Sequence, residues 1–168
     1  YESMASVDPE AVWLQMGWFF YADPIHWNQE NIEAFLRAVP QDKMILLDYY
    51  CEFIEIWKQT KEFYGQPYIW CYLGNFGGNT MMSGNFRTVS SRIDDALANG
   101  GDNLIGMGST LEGFGVNMFM YEYILDRAWN TGMSDDEWIS KLADRRLGYA
   151  DEGVRKAWAT LCDDVYTE

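Results

Sequence analysis

The chain has 168 residues, of which 48% are apolar, enough for a domain of ordinary size with a real core. Its 26 acidic residues outnumber 12 basic ones, and the net charge of −14 disfavours binding to nucleic acids and to anionic membranes. No apolar run approaches the roughly 20 residues that a membrane-spanning helix needs.

Four apolar runs of strand length recur along the chain, each followed by polar or aromatic residues. Between them lie helical patterns, in which apolar residues repeat every three or four positions. This alternation predicts βαβ units and a parallel sheet. The predicted strands are residues 11–18, 43–50, 68–73 and 103–107, and the predicted helices are residues 29–39, 88–99, 118–126, 134–147 and 152–166. Residues 52–63 are predicted to be helical or irregular.

The spacing of the apolar runs predicts half of a barrel. The runs are about 25 to 35 residues apart, the length of one βα unit in a (β/α)8 barrel, and four units leave two exposed sheet edges. Beyond Gly132 the pattern is helical, and Ser134 with Glu137 forms a capping box. We predict that residues 1–130 are half of a (β/α)8 TIM-type barrel and that residues 131–168 begin an all-α domain. Because the chain opens and ends within helical patterns, we expect a fragment truncated at both ends.

Aromatic residues are unusually frequent, with 8 Trp, 11 Tyr and 9 Phe making up 17% of the chain. A core built from large side chains is the commoner use of such residues. The alternative is a sugar-binding cleft, because the apolar faces of a pyranose ring stack on aromatic rings while its hydroxyls bind carboxylates and amides. Aromatic rings and side chains with carboxylate or amide groups are both abundant in this chain.

Several other kinds of site have no support in the sequence. The cysteines are Cys51, Cys71 and Cys162. They form no Cys-x-x-Cys pair and His26 is the only histidine, which argues against a zinc site, and their odd, scattered count argues against a disulfide framework. A Gly-x-Ser-x-Gly elbow, a Walker lysine and a complete Gly-x-Gly-x-x-Gly fingerprint are all missing. We therefore expect neither a metal nor a cofactor.

One acidic residue stands apart within residues 103–117. This stretch begins as a short apolar run, turns through Gly and small residues, and continues into the helix predicted from Met118. Glu112 lies in that turn and is the only acid between Asp102 and Glu122. A strand ending in a turn that carries one acid before a helix is how a βα barrel presents a catalytic group. The alternative is an ordinary Glu at a helix N-terminus, favoured by the helix dipole.

Glycoside hydrolysis commonly needs two carboxylates beside the scissile bond. The candidates at predicted strand ends are Glu112 and Asp48, which precedes Tyr49 and Tyr50. Asp48 is equally explained as a structural acid that accepts hydrogen bonds inside the barrel mouth. Glu52, one turn further on, is most simply a solvated residue.

A loop rich in Gly and Asn, residues 74–79, follows the third predicted strand. No Lys or Arg stands near it to hold a phosphate. It is either a plain connection or a point of close backbone approach. In a sugar site, Asn75 and Asn79 would offer amide donors and acceptors to hydroxyl or acetamido groups.

The same region carries a specific resemblance. Residues 66–79, with the run QPYIWCYLGNFGGN, resemble the signature of the α-N-acetylglucosaminidases, glycoside hydrolase family 89. Further segments resemble this family in the same order, so that the resemblance covers nearly the whole chain. These segments are residues 12–18, 46–48, 106–117 and 143–148.

The resemblance implies the C-terminal half of a catalytic barrel that uses two glutamates in a retaining mechanism. Glu112 matches the family's nucleophile, and the acid/base glutamate would lie on a strand before Trp13, outside this chain. The implied substrate is a glycan of heparan-sulfate or mucin type with a terminal α-linked N-acetylglucosamine, and the implied location is secreted, periplasmic or lysosomal. Activity would require the remainder of the same barrel. The residues implied to line the pocket are Trp18, Trp70, Asn75, Asp48 and Cys71.

Two other functions stay open from the residues alone. A non-catalytic carbohydrate-binding domain would use an aromatic cleft without needing a single acid, so Glu112→Gln would behave like the parent. A structural domain with aromatics only in its core predicts no sugar-dependent quenching of Trp fluorescence. Neither explains the ordered resemblance to a glycosidase family, so we favour the enzyme.

Overall fold

Parallel strands alternate with helices in a computed structural model of the chain. The structure describes residues 1–113 and 115–167; Phe114, within the stretch 103–117, lies outside the described residues. The strands are β1 (Trp13–Met16), β2 (Met44–Tyr49), β3 (Tyr68–Tyr72), β4 (Asn75–Phe76), β5 (Asn79–Thr80) and β6 (Leu104–Ser109). The helices are α1 (Glu2–Ala5), α2 (Phe19–Ala22), α3 (Gln29–Arg37), α4 (Ile56–Gln59), α5 (Phe86–Asn99), α6 (Met118–Arg127), α7 (Asp135–Leu147) and α8 (Glu152–Asp164), with 3₁₀ turns at Gln41–Lys43 and Glu62–Gly65.

The main sheet has the strand order β1–β2–β3–β6, and all neighbouring strands are parallel. Three of the four predicted strand runs contain one of these strands, and the fourth overlaps β6, which extends two residues further, so the predicted βα repeats are confirmed. Parallel strands that alternate with helices in this way fit part of an α/β barrel, the arrangement that the spacing of the runs predicts. Within the described residues, the outer edges of β1 and β6 have no strand partner.

Apolar spacing and capping explain the helices that cover this sheet. In α3, Ile32 and Leu36 are buried on one side, and the N-cap residue Asn28 accepts a hydrogen bond from the N–H of Asn31 at 3.0 Å. The buried side chains of α5 are Phe86, Val89, Ser90, Ile93 and Ala96.

No helix in the described part of the chain combines the length and the apolar character that crossing a membrane requires.

Side chains along the strands alternate between two faces of the sheet. The helix-covered face is fully buried at its centre, where Leu46 and Trp70 have no exposed surface. The opposite, open face leaves Leu14 and Met16 about half exposed. By strand register, the helix-covered face carries Met44, Leu46, Asp48, Tyr68, Trp70, Tyr72 and Met107, and the open face carries Leu14, Met16, Ile45, Leu47, Tyr49, Ile69 and Cys71.

The Gly/Asn loop after β3 is not a plain connection. It forms an antiparallel hairpin of β4 and β5, with Asn75 opposite Thr80. The two turn residues, Gly77 and Gly78, have φ values of +56° and +82°, which glycine adopts without steric cost. The hairpin brings the chain back across the carboxyl end of the sheet.

The last two helices pack against each other and against α6. Arg155 of α8 pairs with Asp144 of α7 at 2.6 Å. Trp138 of α7 meets the rings of Phe119 and Tyr123 edge-on, at centroid distances of 5.3 and 4.9 Å. The two helices predicted after residue 131 are therefore present. The boundary between the half barrel and the helical domain, placed after residue 130, stays a prediction.

Candidate active site

Glu112 lies in the turn between β6 and α6, at the carboxyl ends of the parallel strands. Its side chain is exposed, and both its backbone N–H, which also reaches the Asn75 carbonyl at 3.4 Å, and its carboxylate are bonded to the β4–β5 hairpin. The N–H of Glu112 donates to Oδ1 of Asn75 at 3.0 Å, and the N–H of Gly77 donates to Oε2 of Glu112 at 3.3 Å. The carboxylate is therefore both accessible and held in place, as a group that must meet a bound molecule requires.

An apolar cleft of about 390 Å³ opens beside Glu112, and we call it the aromatic cleft. Its volume is in the range that encloses a small organic ligand. Trp18, which is 41% exposed, offers a ring to the cleft. The structure thus brings together Trp18 and Glu112, two of the predicted site residues. The lining residues are Trp18, Tyr21, Ala22, Tyr49, Tyr50, Leu73, Phe76 and Glu112.

A second, more polar cleft of about 480 Å³ lies along the hairpin, and we call it the hairpin cleft. Glu112 and Phe76 line both clefts, so the carboxylate stands at their boundary. A molecule that spans the two clefts would pass directly over it. The lining residues of the hairpin cleft are Asn75, Phe76, Gly77, Gly78, Asn79, Thr80, Glu112, Gly113 and Gly115.

Two tyrosines keep their protons in the aromatic cleft. Burial raises the pKa of Tyr49, and the negative charge of Glu112 adds to the rise. Burial is also the main cause that raises the pKa of Tyr21 to about 12, with a further contribution from Tyr50. At neutral pH both phenols are therefore neutral, and Tyr49 donates a hydrogen bond to the carbonyl of Thr110 at 3.1 Å.

Backbone strain marks the wall of the aromatic cleft. Tyr50 has a φ of +77°, a left-handed conformation that costs a non-glycine residue about 1 to 2 kcal/mol. Its ring stacks on Phe53 at 5.1 Å and meets Phe76 edge-on at 5.4 Å. Strained residues of this kind cluster at functional sites, where the surrounding structure enforces them.

Comparison with known proteins agrees with this geometry. Residues 1–131 match the family model described as the alpha-N-acetylglucosaminidase (NAGLU) tim-barrel domain. This chain belongs to that family. The family resemblance inferred from the sequence and the predicted α/β barrel are thereby confirmed.

Individual relatives cover the full chain. The human α-N-acetylglucosaminidase is 35% identical over 168 residues, which are 99% of this chain and 23% of the human protein. Two structures of a family 89 glycoside hydrolase from Clostridium perfringens, one in complex with PUGNAc and one with 2-acetamido-1,2-dideoxynojirmycin, are each 27% identical with a TM-score of 0.80. Each match covers 99% of this chain and 18% of the bacterial one. The chain thus spans less than a quarter of the length of these relatives.

Asn75, predicted to bind substrate, lines the hairpin cleft in this NAGLU-type fold, but its amide is already engaged. Its Oδ1 accepts from the N–H of Glu112, and its Nδ2 donates to the carbonyl of Gly113 at 3.1 Å. Only 5% of the residue is exposed. Its position beside Glu112 agrees with the prediction, whereas its bonding points to another role.

Cys71 lies on the open face and lines neither cleft. It is opposite Tyr49 in the sheet and is 1% exposed, and its Sγ contacts the carbonyl of Ile69 at 3.5 Å. Burial raises the pKa of the thiol well above its ordinary value. In this structure Cys71 is therefore buried and offers almost no surface to a sugar.

Trp70 and Asp48 point away from the clefts, into the helix-covered face, and neither has exposed surface. Nε1 of Trp70 donates to Oε1 of Glu55 at 3.1 Å. The carboxylate of Asp48 accepts from the N–H groups of Ile56 and Trp57, at 3.2 and 3.1 Å, and so caps α4. Alternation along β2 and β3 turns both side chains to the helix-covered face, so neither lines a cleft among the described residues, and their contact with a sugar stays a prediction. Asp48 fits the alternative of a structural acid.

Glu52 is the residue that sequence reasoning missed. The expectation of a solvated side chain is wrong, because Glu52 is 1% exposed. Its carboxylate accepts from the N–H of Leu73 with both oxygens and from the N–H of Gly74 at 2.6 Å. Burial raises the pKa of Glu52, and these hydrogen bonds oppose the rise. Glu52 thereby fixes the turn that leads into the hairpin.

Proposed function

We propose that the protein containing this chain is a retaining α-N-acetylglucosaminidase and that Glu112 is its nucleophile. One observation carries the assignment: Glu112 is an exposed carboxylate at the carboxyl ends of the parallel strands, at the boundary of two clefts. In barrel enzymes this end of the sheet holds the catalytic groups. Membership of the α-N-acetylglucosaminidase family supports the same reaction.

In the proposed reaction the Glu112 carboxylate attacks the anomeric carbon of the sugar. A C–O bond forms to Glu112 as the bond to the leaving oxygen breaks, and a second carboxylic acid donates a proton to that oxygen. Water then hydrolyses the glycosyl ester and restores Glu112. Retaining enzymes hold their two carboxyl groups about 5 to 5.5 Å apart. We assign the second group to a glutamate outside this chain, on the remainder of the barrel.

The aromatic cleft supports a sugar as the ligand. The exposed ring of Trp18 suits the apolar face of a pyranose, and Tyr21 and Tyr49 hold neutral phenols near the carboxylate. A bacterial relative is in complex with an acetamido sugar mimic, 2-acetamido-1,2-dideoxynojirmycin. We therefore propose a terminal α-linked N-acetylglucosamine as the substrate, on glycans of heparan-sulfate or mucin type.

The Glu112→Gln variant tests this proposal in the longest version of the protein that contains the chain. Loss of the negative charge removes the nucleophile, so we expect turnover of an aryl α-N-acetylglucosaminide to fall at least about a thousandfold. Binding of N-acetylglucosamine, followed by Trp fluorescence, should stay within about threefold of the parent because the cleft keeps its shape.

Glu137→Gln is the matched control, since Glu137 is an exposed glutamate on α7 away from both clefts. We expect it to turn over substrate like the parent. Retained turnover in Glu112→Gln would exclude Glu112 as the nucleophile. If a folded parent binds the sugar but shows no turnover at all, the aromatic cleft belongs instead to a non-catalytic carbohydrate-binding domain.

A further inference from the structure

We infer that Asn75 is a positioning residue for Glu112, which it holds through the backbone of the β6–α6 turn without touching the sugar. The inference rests on the proposed function, because it concerns the placement of the proposed nucleophile. It also replaces the sugar contact that the sequence predicts for Asn75.

Both polar atoms of the Asn75 side chain are bonded to the turn that carries Glu112. Oδ1 accepts from the N–H of Glu112 at 3.0 Å, and Nδ2 donates to the carbonyl of Gly113 at 3.1 Å. A Cβ atom at Gly113 would lie 3.2 Å from Nδ2, so the turn packs directly on the amide. The side chain thus holds the backbone at two points, the N–H before the Glu112 Cα atom and the carbonyl after the Gly113 Cα atom.

The rest of the hairpin supports the same turn. Oγ1 of Thr80 donates to the carbonyl of Gly115 at 2.7 Å, and the N–H of Gly77 donates to the Glu112 carboxylate at 3.3 Å. The hairpin therefore contacts the turn at its backbone and at the carboxylate itself. Together these bonds define the orientation in which Glu112 faces the two clefts.

Asn75 is itself anchored from below. Gly74 has a φ of +69°, and a Cβ atom there would come within 2.5 Å of the Tyr121 hydroxyl, so only glycine fits. The buried carboxylate of Glu52 holds the N–H groups of Leu73 and Gly74. A rigid backbone thus presents the Asn75 amide, as a supporting residue behind a catalytic group requires.

Positioning and substrate binding have different kinetic consequences. A nucleophile displaced by about 1 Å can lose about a hundredfold in rate, because attack depends on near-contact geometry. Ground-state binding of the sugar does not need the carboxylate in that geometry. Loss of a positioning residue should therefore lower kcat and leave KM and sugar affinity largely unchanged.

The test uses Asn75→Ala and Thr80→Val in the longest version of the protein that contains the chain. Asn75→Ala removes both side-chain bonds to the turn and keeps only the 3.4 Å bond from the Glu112 N–H to the Asn75 carbonyl, so we expect kcat to fall about a hundredfold with KM within about threefold of the parent. Thr80→Val removes one bond from an exposed side chain, so kcat should fall about fivefold. Because Thr80 is exposed, this variant keeps the test decisive even if Asn75→Ala does not fold.

Asn130→Ala is the control, because Asn130 is an exposed asparagine beyond the far end of α6. Its kcat and KM should equal those of the parent. If Asn75→Ala instead weakens N-acetylglucosamine binding tenfold or more, measured by Trp fluorescence, Asn75 contacts the sugar and the inference fails. If Thr80→Val and a folded Asn75→Ala both keep the parent's kcat, the inference fails as well.

A double-mutant cycle separates this inference from the proposed function. In Glu112→Ala, added azide attacks the anomeric carbon in place of the carboxylate, forming a C–N bond as the aryloxide leaves. With no carboxylate to position, Asn75→Ala should change the azide-dependent rate less than about threefold. An equal loss in both backgrounds would overturn the positioning role and leave Glu112 as nucleophile. Full turnover by Glu112→Ala without azide would overturn the proposed function itself.

Discussion

Burial disfavours the ionised form of Asp48, and this effect should appear in the pH dependence of the stability of the fold. Burial raises its pKa from 3.8 to about 7, although hydrogen bonds from Trp57 and Ile56 oppose the rise. The folded chain therefore keeps the Asp48 proton at pH values where the unfolded chain has lost it. This contribution to stability is complete below about pH 4 and is lost as the pH rises through about 7.

We expect Asp48→Asn to flatten that pH dependence, since an amide does not titrate. Urea unfolding midpoints measured from pH 4 to pH 8 should fall more steeply with pH in the parent than in the variant. Asp102→Asn, at an exposed position, should keep the parent's slope. Equal slopes in the parent and in Asp48→Asn would show that Asp48 titrates alike in the folded and unfolded chains.

The same side chains show how far the sequence predicts the site. The placement of Glu112 and Trp18 is predictable, because each follows a strand into an exposed turn, and loops at strand ends often carry binding residues. Trp70 and Asp48 are near strand ends too, but their side chains alternate onto the face that the helices cover. Which face of the sheet the helices cover depends on packing between segments that are far apart in the sequence. Glu52 was missed for a related reason, since its partners are supplied by the return of the chain after β3.

Among the helices and strands, helix capping and the spacing of apolar residues are the signals from which most elements can be predicted. The helices from α3 onward, other than the short α4, start and end close to their predicted limits, because Asn28, Ser134 and Asp151 each accept a backbone N–H at a helix start. The β4–β5 hairpin was not predicted, since strands of two residues are too short to show alternation. Only the pair Gly77 and Gly78 signals its turn.

The cap of α7 gives a stability prediction. Oγ of Ser134 accepts a hydrogen bond from the N–H of Glu137 at 3.3 Å. Ser134→Ala should lower the free energy of unfolding by about 1 kcal/mol, the usual cost of losing such a cap. Ser140→Ala is the matched control within the same helix, where alanine is at least as favourable as serine. A midpoint of thermal unfolding that is the same for Ser134→Ala and the parent would show that the cap contributes nothing.

For the chain as a whole, two observations indicate that the barrel is completed by other parts of the protein: the geometry of the sheet, and the small part of its relatives' length that the chain covers. β1 and β6 lack strand partners on their outer edges within the described residues, and the open face keeps apolar side chains exposed. Such edges and faces are normally covered in a barrel. We propose that other parts of the protein close this barrel and supply the second carboxylate.

Covalent trapping of the nucleophile tests the central claim most directly. The reagent is an N-acetylglucosaminyl fluoride with a second fluorine on the sugar ring, which slows hydrolysis of the glycosyl ester. It is reacted with the longest version of the protein that contains this chain, and the digested protein is read by peptide mass spectrometry. We predict one added sugar per inactivated molecule, attached to Glu112. Inactivation with the sugar on any other residue would contradict the assignment of Glu112 as the nucleophile.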